Sequence, residues 1–142
     1  MIYIYKSVYN RILETFSNRP PEVGGILGAE PNMPISEFYF DETGTTTQES
    51  YTPDCNKINE VLEKDWFPRN IYMVGIIHSH DASCPFLSCG DLMYGEKILL
   101  SLEDDTFYLP LVCVHPLKLL GFRIEKTLDK QLKTYKEDFF LV

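Results

Sequence analysis

The sequence predicts one mixed α/β domain over residues 1–142, with helices packed on a sheet. Segments with apolar residues at helical spacing alternate with short apolar runs that are typical of strands. A length of 142 residues suits one ordinary domain, and 44% hydrophobic residues can build a core without disulfide bonds. The chain shows no repeat, linker or low-complexity segment that would divide it.

The first half of the chain alternates between strand and helix patterns. Its predicted elements are a strand at 2–5, a helix with Val8, Ile12, Leu13 and Phe16 on one face, and strands at 22–29 and 35–40. Pro20 and Pro21 end the helix, because proline cannot continue its hydrogen-bond ladder. The residues PNMP join the two strands as a hairpin, and the polar segment 41–53 predicts an exposed functional loop.

The second half begins with a helix and then the most apolar strand. The helix is capped by Asp54, carries Ile58, Leu62 and Trp66 on one stripe and ends at Pro68. The run IYMVGII at 71–77 predicts a strand that is buried on both faces. The remaining predicted elements are a helix from Ser88 through Leu100, strands at 106–114 and 117–125, and a tail helix carrying Leu128, Leu132 and Tyr135.

The charge and the chain start exclude some classes of function. A net charge of −8 without a Lys/Arg-rich run disfavours a nucleic-acid partner, since such binding depends on neutralising phosphates. The acidity fits a solvated surface or, alternatively, a basic patch on a protein partner. The start MIYIYKSVYN lacks a signal-peptide pattern, and no run approaches the length of a membrane span. The sequence therefore predicts a cytoplasmic protein with no membrane partner.

The four cysteines form neither a CxxC pair nor a disulfide framework of the secreted type. This usage predicts free thiols in a reducing cytoplasm. A second metal site that uses Cys84 and Cys89 stays open as an alternative, because thiolates are common zinc ligands.

The stretch HSHDASCPFLSCGD at 78–91 predicts a metal site. His78 and His80 are two residues apart at the polar end of the buried strand, so their imidazoles point to one side. Ser88 and Asp91 form an S-x-x-D pattern, which caps a helix and places Asp91 in its first turn. Two imidazoles and one carboxylate make a three-ligand set that leaves the fourth zinc position open for water, as in catalytic zinc sites.

Glu22 is the candidate base for such a water. Its charged side chain has little packing reason to start an apolar strand, and Gly24 and Gly25 allow close backbone approach there. The alternative is structural: a solvated glutamate, histidines satisfied at a strand end, and a serine–aspartate pair that only caps a helix. The pattern H-x-H-x7-S-x2-D arises by chance in roughly one such chain in several thousand, which favours the metal site.

Glu22 together with HSHDASCPFLSCGD resembles the signature of the JAMM (MPN-plus, JAB-type) zinc metalloproteases, isopeptidases that include deubiquitinases and prokaryotic relatives. All five signature positions match, and the order of elements agrees over nearly the whole chain. The resemblance implies a single-domain α/β/α sandwich with a mixed central sheet, related to cytidine deaminases. It implies that His78, His80 and Asp91 bind zinc. It also implies that Glu22 hydrogen-bonds the bound water and that Ser88 helps to hold the tetrahedral intermediate.

The function implied by this resemblance is hydrolysis of the amide bond after the C-terminal glycine of a ubiquitin-like protein, in deconjugation or precursor processing. The implied partners are ubiquitin-like or sulfur-carrier-type proteins and an activating enzyme of the ubiquitin type from a neighbouring gene. Two features differ from relatives. Ala29 stands where glycine is common, and LEDDT at 102–106 leaves little room for a segment that grips ubiquitin in eukaryotic enzymes.

Two other functions fit the sequence less well. A zinc nucleoside deaminase needs H-x-E and P-C-x-x-C, whereas His80 follows His78 at that spacing and CPFLSC separates its cysteines by four residues. A catalytically silent scaffold in a larger assembly is the alternative within the same fold. Members of that kind lose ligands that this chain keeps.

Overall fold

The computed structural model describes residues 1–81 and 83–142. In this part of the chain there are three α-helices, Lys6–Ser17 (α1), Cys55–Val61 (α2) and Cys89–Ser101 (α3). A π-helical segment, Leu62–Trp66, and a 3₁₀ turn, Phe67–Arg69, continue α2. The strands are Ile2–Ile4 (β1), Gly24–Ala29 (β2), Glu37–Phe40 (β3), Thr45–Thr46 (β4), Tyr51–Thr52 (β5), Tyr72–Asp81 (β6), Thr106–Tyr108 (β7), Leu111–Val114 (β8), Lys118–Lys126 (β9), Leu132–Glu137 (β10) and Phe139–Leu141 (β11).

The main sheet is mixed, with β6 at its centre. Within the described residues it has seven strands in the order β10-β9-β7-β6-β2-β3, and β8 pairs with both β6 and β9. β6 runs antiparallel to β2 and parallel to β7 and β8. Two small ladders stand apart from this sheet: β1 pairs with β11 in parallel, and β4 pairs with β5 antiparallel. A mixed α/β fold class is therefore confirmed.

Helices cover both faces of the main sheet, and each face has its own apolar cluster. On one face, Ile76 of β6 belongs to a cluster with Ile58 of α2 and Leu99 of α3. On the other face, Ile77 belongs to a cluster with Ile12 of α1. Burial on both faces of β6 confirms the prediction from IYMVGII, because adjacent strand residues point to opposite sides. In the described part of the chain, no helix is both long and apolar enough to cross a membrane.

The elements predicted before β6 are largely confirmed. The apolar face of α1 is buried, and the helix ends before the proline pair. β2 and β3 form the predicted antiparallel hairpin, although β3 begins two residues later than expected. Asp54 caps α2 by accepting a hydrogen bond from the Lys57 N–H at 3.1 Å. The helical stretch ends at Arg69, one residue beyond Pro68, and Asn70 follows in the left-handed region with φ 60°.

The predicted tail helix is wrong, because this part of the chain forms β10 and β11. β10 pairs with β9 over its whole length, with Tyr135 opposite Arg123. The Arg123 guanidinium lies 4.7 Å from the centre of the Tyr135 ring, and Leu132 packs against the core. Leu128, expected on the buried stripe of a helix, is fully exposed. The helical spacing of the three apolar residues was therefore coincidental.

The predicted strand at 106–114 is divided into β7 and β8. Leu109 and Pro110 lie between them, where proline has no N–H to donate to a ladder. The register with β9 continues across the break, since Tyr108 pairs with Arg123 and Leu111 pairs with Leu120. The interruption therefore does not disturb the pairing with β9, and β7 and β8 both lie between β9 and β6.

The polar segment after β3 folds back onto the sheet around one buried carboxylate. Asp41 is buried and accepts hydrogen bonds from the Tyr51 hydroxyl at 2.7 Å and the Asp54 N–H at 2.8 Å. Hydrogen bonds to a charged group of this kind contribute about 1.5–3 kcal/mol each. This arrangement holds the β4–β5 hairpin beside the end of β6 that carries the histidines.

Candidate metal centre

His78 and His80 lie side by side at the end of β6, as their spacing predicts. Their Nε2 atoms are 3.0 Å apart, and both residues are buried. β6 is paired on both edges here, because His78 lies opposite Gly24 of β2 and opposite Leu111 of β8. Pairing on two sides fixes the strand, so the two imidazoles are held in one position by the fold.

A backbone carbonyl orients the ring of His80. Its Nδ1 lies 3.1 Å from the carbonyl oxygen of Cys84. A carbonyl can only accept, so Nδ1 carries a proton, and in its neutral form His80 would present the lone pair of Nε2 to the centre. An imidazole held in this way is ready to bind a metal ion.

Asp91 reaches the same two imidazoles from the first turn of α3. Its Oδ2 lies 3.1 Å from His78 Nε2 and 3.3 Å from His80 Nε2. The predicted capping box is present: Ser88 Oγ accepts from the Asp91 N–H at 3.0 Å, and Asp91 Oδ2 accepts from the Ser88 N–H at 2.8 Å. The S-x-x-D pattern therefore starts α3 and also directs a carboxylate at the histidines.

Glu22 lies at the same centre, two residues before β2 and so outside the strand that it was predicted to start. Its Oε2 is 3.7 Å from His80 Nε2, and only 12% of its side chain is exposed. One tether holds its backbone to the β4–β5 turn, where the Glu22 N–H donates to the Thr47 carbonyl at 2.9 Å. A second tether joins the next residue to β6, where the Val23 N–H donates to Ser79 Oγ at 3.1 Å.

The glycines after Glu22 are required for close approach, as their sequence predicts. A Cβ atom on Gly24 would overlap the ring of Tyr51, and a Cβ atom on Gly25 would overlap the carbonyl oxygen of Tyr39. Without these side chains, β3 and the β4–β5 hairpin pack directly against β2. The hairpin thereby forms one wall of the site.

Burial and charge shift the pKa values of the acidic and basic groups in the centre. Burial raises the pKa of Glu22 above its ordinary value, although His80 and His78 oppose this shift. Burial also acts to raise the pKa of Asp91, but its hydrogen bonds with His78 and His80 outweigh burial and lower that pKa below its usual range. Burial acts to lower the pKa of His80, whereas Asp91, the Cys84 carbonyl and Glu22 raise it. The site therefore favours positive charge between its two carboxylates.

Glu22, His78 and His80 could hold a metal ion, since one ligand atom from each lies within 4.8 Å of the others. Imidazole nitrogen and carboxylate oxygen both bind divalent transition metals. His78, His80 and Asp91 converge more closely still, at 3.0 to 3.3 Å, so the four side chains form one cluster with two carboxylates. The exposed thiols of Cys84 and Cys89 are not part of this group, and the second metal site that the sequence left open stays an untested alternative.

A cavity of about 300 Å³ opens beside the centre. Its lining includes Glu22, His78 and Asp91 of the centre, together with Tyr51 of β5 and Tyr94 of α3. Burial raises the pKa of the Tyr94 hydroxyl to about 12, so that hydroxyl stays protonated at neutral pH. The polar segment predicted as a functional loop borders this cavity through its residues 49–53.

Ser79 is the residue of this site that the sequence did not single out. It is fully buried between the two histidines, and its side chain lies on the opposite side of β6. Its N–H donates to the Val23 carbonyl at 2.9 Å, while its Oγ accepts from the Val23 N–H. The sequence carries one sign of this role. Ser79 stands in a buried strand and faces away from the two histidines, and a buried polar side chain needs a hydrogen-bond partner.

Comparison with models of known protein families gives no match, and no curated protein matches the chain. The interpretation of the site therefore depends on its own geometry and chemistry.

Proposed function

We propose that this chain is a zinc-dependent isopeptidase or peptidase of the JAMM type, with the JAB/MPN variant of the α/β/α sandwich. Its substrate would be the amide bond after the C-terminal glycine of a ubiquitin-like or sulfur-carrier-type protein. The observation that carries the proposal is the convergence of two imidazole nitrogens with Asp91 Oδ2 at 3.1 and 3.3 Å, with Glu22 beside them at a cavity.

The donor set fits zinc. His78, His80 and Asp91 would be the ligands, because Asp91 approaches the imidazoles more closely than Glu22 does. Two histidines and one carboxylate form a known set of catalytic zinc ligands and leave one position for water or substrate. When bound, zinc lowers the pKa of a coordinated water to about 7 and polarises a carbonyl group.

Glu22 would move the proton. Hydrogen bonds of the Glu22 and Val23 N–H groups hold its backbone near the imidazoles, while its carboxylate lies farther from them than that of Asp91, which leaves the carboxylate free for the reaction. It would take a proton from water and give it to the leaving amine, and its raised pKa suits both steps. General acid–base catalysis of this kind contributes about 10²–10⁴-fold.

Ser88 would help to hold the substrate carbonyl. Its Oγ accepts the Asp91 N–H, and its own O–H proton stays available to donate. Ser88 lines the cavity beside the same carboxylate and imidazoles. A donor directed at the carbonyl oxygen stabilises the charge that develops on it during amide hydrolysis.

The substrate would enter as an extended tail. The β4–β5 hairpin borders the cavity, and within the described residues its ladder has only two strands, so an extended chain can add to it as a further strand. Glu22 and Tyr51 both line the cavity, and a tail of small residues would fit beside them most easily. A ubiquitin-like C-terminus that ends in glycine meets this requirement, whereas a folded or bulky segment does not.

The test is cleavage of fusions made from ubiquitin-like proteins encoded near this gene, read by mass spectrometry, with casein as a general substrate. We expect cleavage directly after the terminal glycine and little action on casein. Glu22→Gln is the matched control: it should keep fold and zinc and lose at least about 100-fold in turnover. Scattered cleavage of casein with the fusions intact, or a Glu22→Gln protein within a few-fold of wild type, would overturn the proposal.

A further inference from the structure

A second and larger cavity, of about 990 Å³, lies at the other end of β6 from the metal group. We call it the basal groove. Its lining consists of the first residues of β6, the turn 29–35 between β2 and β3, the loop 101–106 after α3, and Tyr3, Leu62, Phe67 and Tyr108. Seven residues of strand separate Met73 in the groove from His80, which corresponds to about 23 Å. A ligand in the basal groove therefore leaves the metal centre accessible.

The basal groove exposes several large apolar side chains. Tyr3, Met33, Phe67 and Tyr72 all line it, and their exposed fractions lie between 45% and 52%. Phe67 and Tyr72 stack with their ring centres 5.6 Å apart. Single exposed apolar residues are ordinary, but four large ones in one concavity are typical of a surface that binds another protein.

The charge of the basal groove has one sign. Four exposed carboxylates line it, from Glu30, Glu103, Asp104 and Asp105, and the lining contains no Lys, Arg or His. None of the four has a salt bridge within residues 1–81 and 83–142. Glu103, Asp104 and Asp105 are consecutive in the chain, so their like charges repel one another, and a cationic partner relieves that repulsion.

We propose that the basal groove is the docking surface for a basic, apolar segment of a partner protein. Leucine-like side chains of that segment would cover the four apolar residues, and its lysines or arginines would face the carboxylates. A second copy of this chain is a poor occupant, because each copy carries a net charge of −8. The proposal stands apart from the hydrolytic function, since binding at the groove needs neither metal nor turnover.

The test uses a fluorescein-labelled peptide of alternating lysine and leucine, and the same peptide with glutamate for lysine, in anisotropy titrations at low salt. The groove variant carries Glu30→Gln, Glu103→Gln, Asp104→Asn and Asp105→Asn. The control variant carries Glu14→Gln, Glu42→Gln, Glu63→Gln and Asp138→Asn, all exposed and outside the groove. Both variants have the same net charge, so a difference in peptide affinity between them depends on where the carboxylates lie and not on the overall charge.

We expect the lysine peptide to bind at least about tenfold more weakly to the groove variant than to the control variant, and the glutamate peptide not to bind. Met33→Ser with Tyr72→Thr should also weaken binding, and this loss should persist at high salt because it is apolar. Equal affinity of the two charge variants would overturn the proposal. So would dimerisation of the wild type that the groove variant loses, which would assign the groove to a second copy.

Discussion

At the scale of single residues, the chemistry of His80 depends on a backbone atom of Cys84. The carbonyl oxygen of Cys84 accepts a hydrogen bond from the Nδ1–H, and this leaves Nε2 directed at the centre. The thiol of the same residue is exposed and has no part in that contact. At position 84 the backbone therefore orients His80, whereas the side chain does not contribute to that contact.

We predict that the double variant Cys84→Ser, Cys89→Ser keeps the fold and binds as much zinc as the wild type, because neither thiol belongs to the proposed ligand set. Cys113→Ser is the contrast, since that thiol is buried in the core. A hydroxyl without a partner at that position should cost about 1–3 kcal/mol. Zinc content and urea denaturation of the three proteins measure both effects. Loss of zinc from the double variant would indicate a role for thiolates.

At the scale of elements, Ser79 connects β6 to the segment that carries Glu22. We predict that Ser79→Ala lowers the free energy of unfolding by about 1–3 kcal/mol, because the Val23 N–H loses its partner. Ser36→Ala is the matched control: its Oγ is buried with no hydrogen-bond partner among the described residues. That change should be neutral or slightly stabilising. If urea denaturation gave the same loss of unfolding free energy for both variants, the hydrogen bond between Ser79 and Val23 would not explain the loss.

The β9–β10 pair gives a dependence of stability on pH. Glu137 accepts two hydrogen bonds from Arg123, at 2.8 and 3.0 Å, and these lower its pKa from the ordinary value of 4.5. A lowered pKa in the folded state stabilises the protein above pH 4.5, and this contribution is lost as pH falls through the folded-state value.

We therefore predict that Glu137→Gln lowers Tm at neutral pH and that the difference from wild type shrinks as the pH falls below about 4. Glu14→Gln, an exposed change without an ion pair, should leave Tm unchanged at every pH. The measurement is a series of thermal melts across this range. A difference that stays constant with pH would mean that the charge of Glu137 does not stabilise the pair.

The elements differ in how far the sequence predicted them. Local signals succeeded: Asp54 and the S-x-x-D pattern marked helix starts, and the apolar run marked β6. The prediction of a tail helix failed because Leu128 and Leu132 fit a helical stripe by chance. Pairing with β9 makes this segment a strand instead. The β1–β11 pair joins residues far apart in the chain, from Ile2 opposite Phe139 onward, and no local pattern can predict such a contact.

At the scale of the whole molecule, the centre is assembled from three separate segments. Glu22 precedes β2, His78 and His80 end β6, and Asp91 begins α3. The sequence predicted all of these residues from spacing and resemblance, but their distances follow from sheet order and from tethers such as that between Ser79 and Val23. The basal groove was not predicted, since its apolar and acidic residues are scattered along the chain.

The measurement that tests the account most directly is the zinc content of purified, zinc-replete protein by elemental analysis. We predict about one zinc per chain in the wild type, a large loss in His78→Ala and in Asp91→Ala, and an unchanged content in Glu22→Gln. This pattern would distinguish the three proposed ligands from the proposed base. Undiminished zinc in a folded His78→Ala protein would contradict the metal centre, and loss of zinc in Glu22→Gln would make Glu22 a ligand instead.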